Sequence, residues 1–274
     1  MASLGKIIFW SMIILIVVFT AALILILALT LSGSQSDVES SNRSPIANLG
    51  KDVLLSCYIR SSSEAGAQAS IVAITWRKEG LSGLVYQYQN GAANLENQNL
   101  GFRGRTELLP DAITSGNASL LLRSVRKSDD GVYSCEVISS SGGGTVSIHL
   151  RTAAFSETNF TTTKDILIAD GARWLPKPNV TWLDHDGNIL NGTTTLSPNF
   201  VGIFHVVSTL QPVTVRGTYT CRIENDLVTA NSEATLTGSG VSARTYFIFS
   251  AAASTLTSTY LNIMTSVLCV CYLT

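Results

Sequence analysis

Charge is what this 274-residue chain has least of. Only 14% of its residues are Asp, Glu, Lys or Arg, against about 25% in an ordinary soluble domain. Eighteen basic and 19 acidic residues leave a net charge of −1. That balance supplies neither a basic face for nucleic acid nor an acidic tail. Histidine is scarce too: His149, His185 and His205 are the three present. None stands at a zinc spacing from a cysteine, so no metal centre is expected. Asp184-His185-Asp186 has the composition of an acid–base cluster, but Gly187 and Asn188 follow it as turn formers. It reads as a solvated loop. No catalytic residue, cofactor, small-molecule substrate or enzymatic activity is expected. A long helix is also lacking between residues 45 and 150, where nothing keeps a helical period over ten residues.

The shortage of charge is uneven. Residues 1–33 carry only Lys6, and residues 244–274 only Arg244. The remaining 35 charges fall in residues 34–243, enough chain for two domains of about 100 residues each. Residues 7–31 are interrupted only by Ser11, Thr20 and Thr30, a run long enough to cross a bilayer. Residues 1–33 are therefore a cleaved signal peptide or an uncleaved signal-anchor, with Lys6 on the cytoplasmic side. Residues 246–273 hold 19 apolar residues among Ser, Thr and Asn, with no Lys or Arg after them. They are expected to form a transmembrane helix. The alternative is a lipid-anchor signal, preceded by the small residues Gly238, Ser239 and Gly240. Either arrangement places the middle of the chain outside the cell at the plasma membrane. It leaves no room for a cytoplasmic signalling tail, so the protein is expected to present something outward.

Five Asn-x-Ser/Thr sequons start at Asn42, Asn117, Asn159, Asn179 and Asn191. Five in so short a segment point to a glycosylated secretory-pathway protein. Of five cysteines, Cys57 and Cys135 each lie in a strand-like run and should pair in an oxidising compartment. Closing so long a loop contributes roughly 4 kcal/mol in the chain-entropy model.

Residues 45–150 read as short alternating strands: 53–57, 71–76, 83–89, 102–108, 118–123, 132–138 and 145–150. Cys57, then Trp76, then Asp129-x-Gly131-x-Tyr133-x-Cys135 is the spacing of a variable-type immunoglobulin domain. The cysteines staple two sheets, Trp76 packs on the sulfurs, Tyr133 makes a tyrosine corner, and Asp129 is placed to pair with Arg105. If Trp76 points inward, strand alternation turns Val72 and Ile74 inward and Ala73, Thr75 and Arg77 outward. The same parity exposes Ser134, Glu136, Ile138, Ser147 and His149. Between residues 85 and 88 two phases remain open: either the tyrosines or Val85 and Gln87 face outward. The outward residues, Gln87 among them, form a candidate partner-binding face. Two loops stand out: a lengthened connection at 61–70, and a flexible one at 139–144 ending in three glycines. The glycines join two strands rather than open a helix, which argues against a phosphate loop.

Residues 152–238 match a shorter, constant-type domain. Trp182 resembles the core tryptophan, and Tyr219 and Cys221 the strand that would carry the second cysteine. Arg173-Trp174-Leu175-Pro176-Lys177-Pro178 reads as an edge segment, because proline blocks pairing. The partner cysteine should lie near residue 169, which is alanine. The inter-sheet disulfide is therefore absent here, and Cys221 is expected as a buried free thiol. The expected fold is all-β: two tandem immunoglobulin-like sandwiches between hydrophobic terminal segments.

Several segments carry a closer resemblance. They are Met1-Ala2-Ser3-Leu4-Gly5 with Phe9-Trp10, Lys78-Glu79-Gly80 and Gly83-Leu84-Val85. Phe102-Arg103-Gly104-Arg105-Thr106, Gly116-Asn117-Ala118-Ser119-Leu120, Arg173-Trp174 and Ile223-Glu224-Asn225-Asp226 continue the series. In these the chain resembles the B7 family of T-cell co-signalling ligands. The resemblance implies a cell-surface protein that binds a counter-receptor on T cells through its variable-type domain and dampens activation. The sign of that signal comes from the resemblance alone. A co-stimulatory ligand of the same family, or an immunoglobulin-type adhesion protein, remains the alternative.

Overall fold

A computed structural model describes residues 4–31, 38–60, 70–140, 142–238 and 240–250. The chain opens with helix α1, Leu4–Leu31. Its window Phe9–Ile26 is apolar on every side and exposed throughout, the pattern of a helix whose solvent is lipid rather than a protein core. A secretory signal has the same character.

The first sandwich is built from β1 (Val38–Glu39), β2 (Ile46–Asn48), β3 (Val53–Leu55), β4 (Tyr58–Ile59), β5 (Ile71–Lys78), β6 (Tyr86–Gln89), β7 (Ala92–Ala93), β8 (Thr106–Leu108), the short helix α2 (Pro110–Ile113), β9 (Leu120–Leu122), β10 (Gly131–Ser139) and β11 (Gly142–Ala153). A six-stranded sheet, β2-β11-β10-β5-β6-β7, packs on a three-stranded one, β3-β9-β8, while β1 pairs with β4. Burial in β10 and β11 alternates with period two, as in strands wet on one face. Their inward residues meet Leu55, Ile74, Trp76, Leu120 and Leu122 in one core. Cys57 and Cys135 are disulfide-bonded across it.

The connection expected as a flexible loop over 139–144 is instead the tip of a hairpin. Ser139 already pairs with Gly142, and Gly142–Gly144 lie within β11. The reason is steric: a Cβ on Gly143 would sit 2.4 Å from the carbonyl oxygen of Val137, so the strands close there only around glycine. Of the long connection expected at 61–70, residues 61–69 lie outside the described residues.

The second sandwich comprises β12 (Thr158–Thr163), β13 (Ile166–Trp174), β14 (Asn179–Leu183), β15 (Ile189–Leu190), β16 (Gly192–Pro198), β17 (Phe204–Leu210), β18 (Thr218–Glu224), β19 (Val228–Thr237) and β20 (Gly240–Phe249). Its sheets are β12-β13-β17-β16 and β15-β14-β18-β19-β20. Trp174, Trp182, Cys221 and Ile223 centre its core. Arg173 and Trp174 are not at an edge: β13 runs between β12 and β17, Trp174 is fully buried, and pairing stops only at the prolines that follow. The sandwich also extends past the expected limit of 238. Residues 246–249, read as the start of a membrane segment, belong to β20. Residues 251–274 lie outside the described residues.

The two sandwiches meet in a hydrogen-bonded junction. Ala154 and Leu175 exchange backbone bonds of 3.0 and 2.9 Å. The Asn48 amide donates to the Phe155 carbonyl at 2.8 Å and accepts from its N–H at 3.3 Å. Arg173 donates to the Leu49 carbonyl at 2.8 Å.

Candidate functional site

The six-stranded sheet presents one face away from the core. Along β5 and β10 the register sets Ala73 opposite Ile138, Thr75 opposite Glu136 and Arg77 opposite Ser134. Along β10 and β11 it sets Ser134 opposite Ser147 and Val132 opposite His149. Thr75 also faces Gln87, and Ala73 faces Gln89. Directly opposed residues share a face. The nine residues selected by parity therefore lie on one surface. The open phase at 85–88 resolves as well. Tyr86 and Tyr88 oppose Trp76 and Ile74 and turn inward, leaving Gln87 outward. Val85 faces neither partner nor solvent; it is fully buried, its carbonyl accepting from Gln98 at 3.0 Å.

Two expectations need correction. Val72 does not point into the core but is 50% exposed. The register shifts between Ile138 and Ser139, so Val72 is an extra residue opposed by none, and the alternation slips there. Thr75 has the outward parity but is only 8% exposed, flanked by its larger neighbours Glu136 and Gln87. Gln89 and Thr145 belong to the face and were not among its expected members; they follow once the pairing of β6 and β11 is known.

Chemically the face is a polar field with an apolar end. Arg77 donates to Glu136 at 2.8 Å, both side chains about half exposed, a pairing worth at most about 1 kcal/mol to stability. Towards the hairpin tip Ile138 is 51% exposed. It stands opposite Gly143, which has no side chain to cover it. Ile138 and Gly143 line a shallow recess of ≈ 340 Å³. None of the five sequons falls within a strand of this sheet. Asn42, Asn159, Asn179 and Asn191 are exposed elsewhere. Asn117 is half-buried and accepts from the Ser119 N–H at 2.9 Å.

A rigid base holds the face. The Trp76 indole donates to the Ala118 carbonyl at 3.0 Å. Arg105 grips both oxygens of Asp129 at 2.8 Å, and the pair is buried. Hydrogen bonding to Asp129 holds the Arg105 guanidinium above its ordinary pKa despite its burial. The Tyr133 hydroxyl donates to the Asp129 carbonyl at 2.7 Å. Burial, then the Asp129 charge, pushes the phenol well above its usual range.

In the second sandwich Trp182 donates to Ser208 at 2.8 Å. The Thr214 N–H donates to the Tyr219 hydroxyl at 2.9 Å. Cys221 is a buried free thiol, its pKa pushed up to about 12 by burial. Asp184 closes a turn, accepting from the Asn188 amide at 3.0 Å. Asn188 hydrogen bonds lower its pKa, and His185 and Asp186 beside it are exposed.

Residues 40–150 match the immunoglobulin V-set domain. The human V-set domain-containing T-cell activation inhibitor 1 is 35% identical over 255 residues, covering 90% of this chain and 89% of its own length. The chain belongs to the B7 family. The rat V-set domain-containing T-cell activation inhibitor 1 is likewise 35% identical, over 253 residues, 89% of this chain and 88% of its own. Among solved structures, the human B7-H4 IgV-like domain is 34% identical, covers 43% of this chain and 98% of its own, and has a TM-score of 0.38. In this B7-family chain the tandem sandwiches run over nearly the whole length that the relatives share.

Proposed function

We propose that this chain is a cell-surface ligand that binds a counter-receptor on T cells through the outer face of β5, β6, β10 and β11, and that it restrains T-cell activation. The inhibitory sign rests on the names of its relatives. The observation that carries the binding face is its bareness. It is the one broad sheet surface of the first sandwich whose strands hold no sequon, and it ends in an uncovered Ile138. An exposed apolar residue beside a desolvatable ion pair is the composition of a protein-binding patch. The apolar segments at 1–33 and 251–273 attach the ectodomain to the plasma membrane, and sugars on the exposed asparagines cover the remainder.

The test is a charge swap. Arg77→Glu with Glu136→Arg keeps the ion pair and reverses its field. T-cell staining by cells or beads bearing the full chain is expected to fall about tenfold, the loss of roughly 1.4 kcal/mol. The melting temperature should not move. Unchanged staining would assign binding elsewhere. Staining that instead follows self-association of the chain would favour the adhesion reading.

A further inference from the structure

The second sandwich carries a strand that reverses the direction in which the chain leaves it. β19 reaches the end remote from the first sandwich at Thr237. β20 then returns beside it through ten pairs, from Thr237 opposite Gly240 to Val228 opposite Phe249. The chain is thereby brought back to the junction. The Ser250 N–H donates to the Leu227 carbonyl at 2.9 Å. Asn225, in the same turn, donates to the Pro176 carbonyl at 3.0 Å. Phe249 and Ser250 share an open recess of ≈ 570 Å³ with residues 41–46 of the first sandwich.

β20 is amphipathic. Phe247 turns inward and stacks on Phe155 with ring centroids 5.2 Å apart. Tyr246 and Ile248 turn outward, 53% and 59% exposed, and Phe249 at the end is 49% exposed. The one charge on the outward side is already balanced: Arg244 pairs with Glu233 at 3.1 Å and lies 5.4 Å over the Tyr246 ring. The strand is the edge of its sheet. Beyond it, residues 251–273 contain no charge.

We infer that β20 docks on lipid: Tyr246, Ile248 and Phe249 sit in the interfacial zone of the membrane that holds residues 251–273. The bilayer then meets the waist of the ectodomain rather than its far end. This rests on the proposed membrane attachment of that tail. No spacer separates the strand from it. Five residues of extended chain reach about 17 Å at most, so Tyr246 stays close to the lipid surface. Aromatic side chains concentrate at that depth. Water there still satisfies the open edge of β20, as hydrocarbon would not. Because Arg244 is neutralised, the docking is apolar and needs no anionic lipid.

The full chain, reconstituted in phosphatidylcholine bilayers with brominated acyl chains, tests this. Ile248→Trp and, independently, Tyr246→Trp should show about twofold more quenching than the wild-type chain, an effect of interfacial depth. Thr195→Trp, on the opposite sheet, should show none, and added phosphatidylserine should change neither result. Two separate positions guard against one variant misfolding, and each must melt as the wild type does. Absence of quenching at both, in chains that resist alkaline carbonate extraction, overturns the docking while leaving the tail in the membrane. Chains that wash out with carbonate overturn the attachment and the docking together.

Discussion

Ala169 and Cys221 show what one residue decides. Ala169 pairs with Ser208 in one sheet, and Cys221 with Trp182 in the facing sheet. The Trp182 indole crosses to Ser208 at 2.8 Å, so the two small residues stand in register across the core. Ala169→Cys should therefore close the missing disulfide with Cys221. A bridged loop of about fifty residues would stabilise the second sandwich by about 4 kcal/mol; peptide mapping without reduction checks the bond. Two free thiols in a folded variant would contradict the register. In the wild-type chain Cys221 should label only after unfolding, because the neutral thiol is a poor nucleophile. Its raised pKa also sets a pH dependence. The folded state holds the proton from about pH 9.0 to about 12 while the unfolded chain releases it. Stability is then complete below pH 9 and falls above it by about 1.4 kcal/mol per pH unit. Cys221→Ala should remove that share of the alkaline loss. At this scale the sequence was legible wherever spacing is fixed by covalent or hydrogen-bonded partners: Cys57, Trp76, Tyr133 and Cys135 stand where their intervals put them. It failed at Val72, because one extra residue in β5 leaves no mark in composition.

Elements are held by a few buried groups. Asp129 accepts from both Arg105 nitrogens and from the Arg126 N–H, which ties the turn before β10 to the start of β8. Arg105→Ala would leave a 2% exposed carboxylate without its counter-charge. That should cost about 3–5 kcal/mol, read by denaturant unfolding; a loss below about 1 kcal/mol would show the pair to be ornamental. Alternating strands such as β10 and β11 were legible because one face is wet. β20 was not. Tyr246–Phe249 is a short apolar run, and periodicity alone does not separate a strand from the head of a membrane span. The glycines of β11 were misread for the opposite reason. They suggest a loop by propensity, and only the approach of the Val137 carbonyl explains why a strand requires them.

At the scale of the whole molecule, two sandwiches joined through Ala154, Leu175, Asn48 and Arg173 present a sugar-free sheet face on a membrane-linked body. Fold class and family were legible because cysteine, tryptophan and tyrosine spacing encodes the sandwich. The course of the chain after Thr237 was not, because it depends on pairing with β19. A fragment ending at residue 243 would divide β20, so function is best measured on the full chain. Cells displaying it are mixed with T cells stimulated through their antigen receptor, and proliferation is compared with cells displaying an inert immunoglobulin protein. The account predicts suppression, relieved by the Arg77–Glu136 charge swap. Enhanced proliferation, or no effect from a displayed and folded chain, would contradict it.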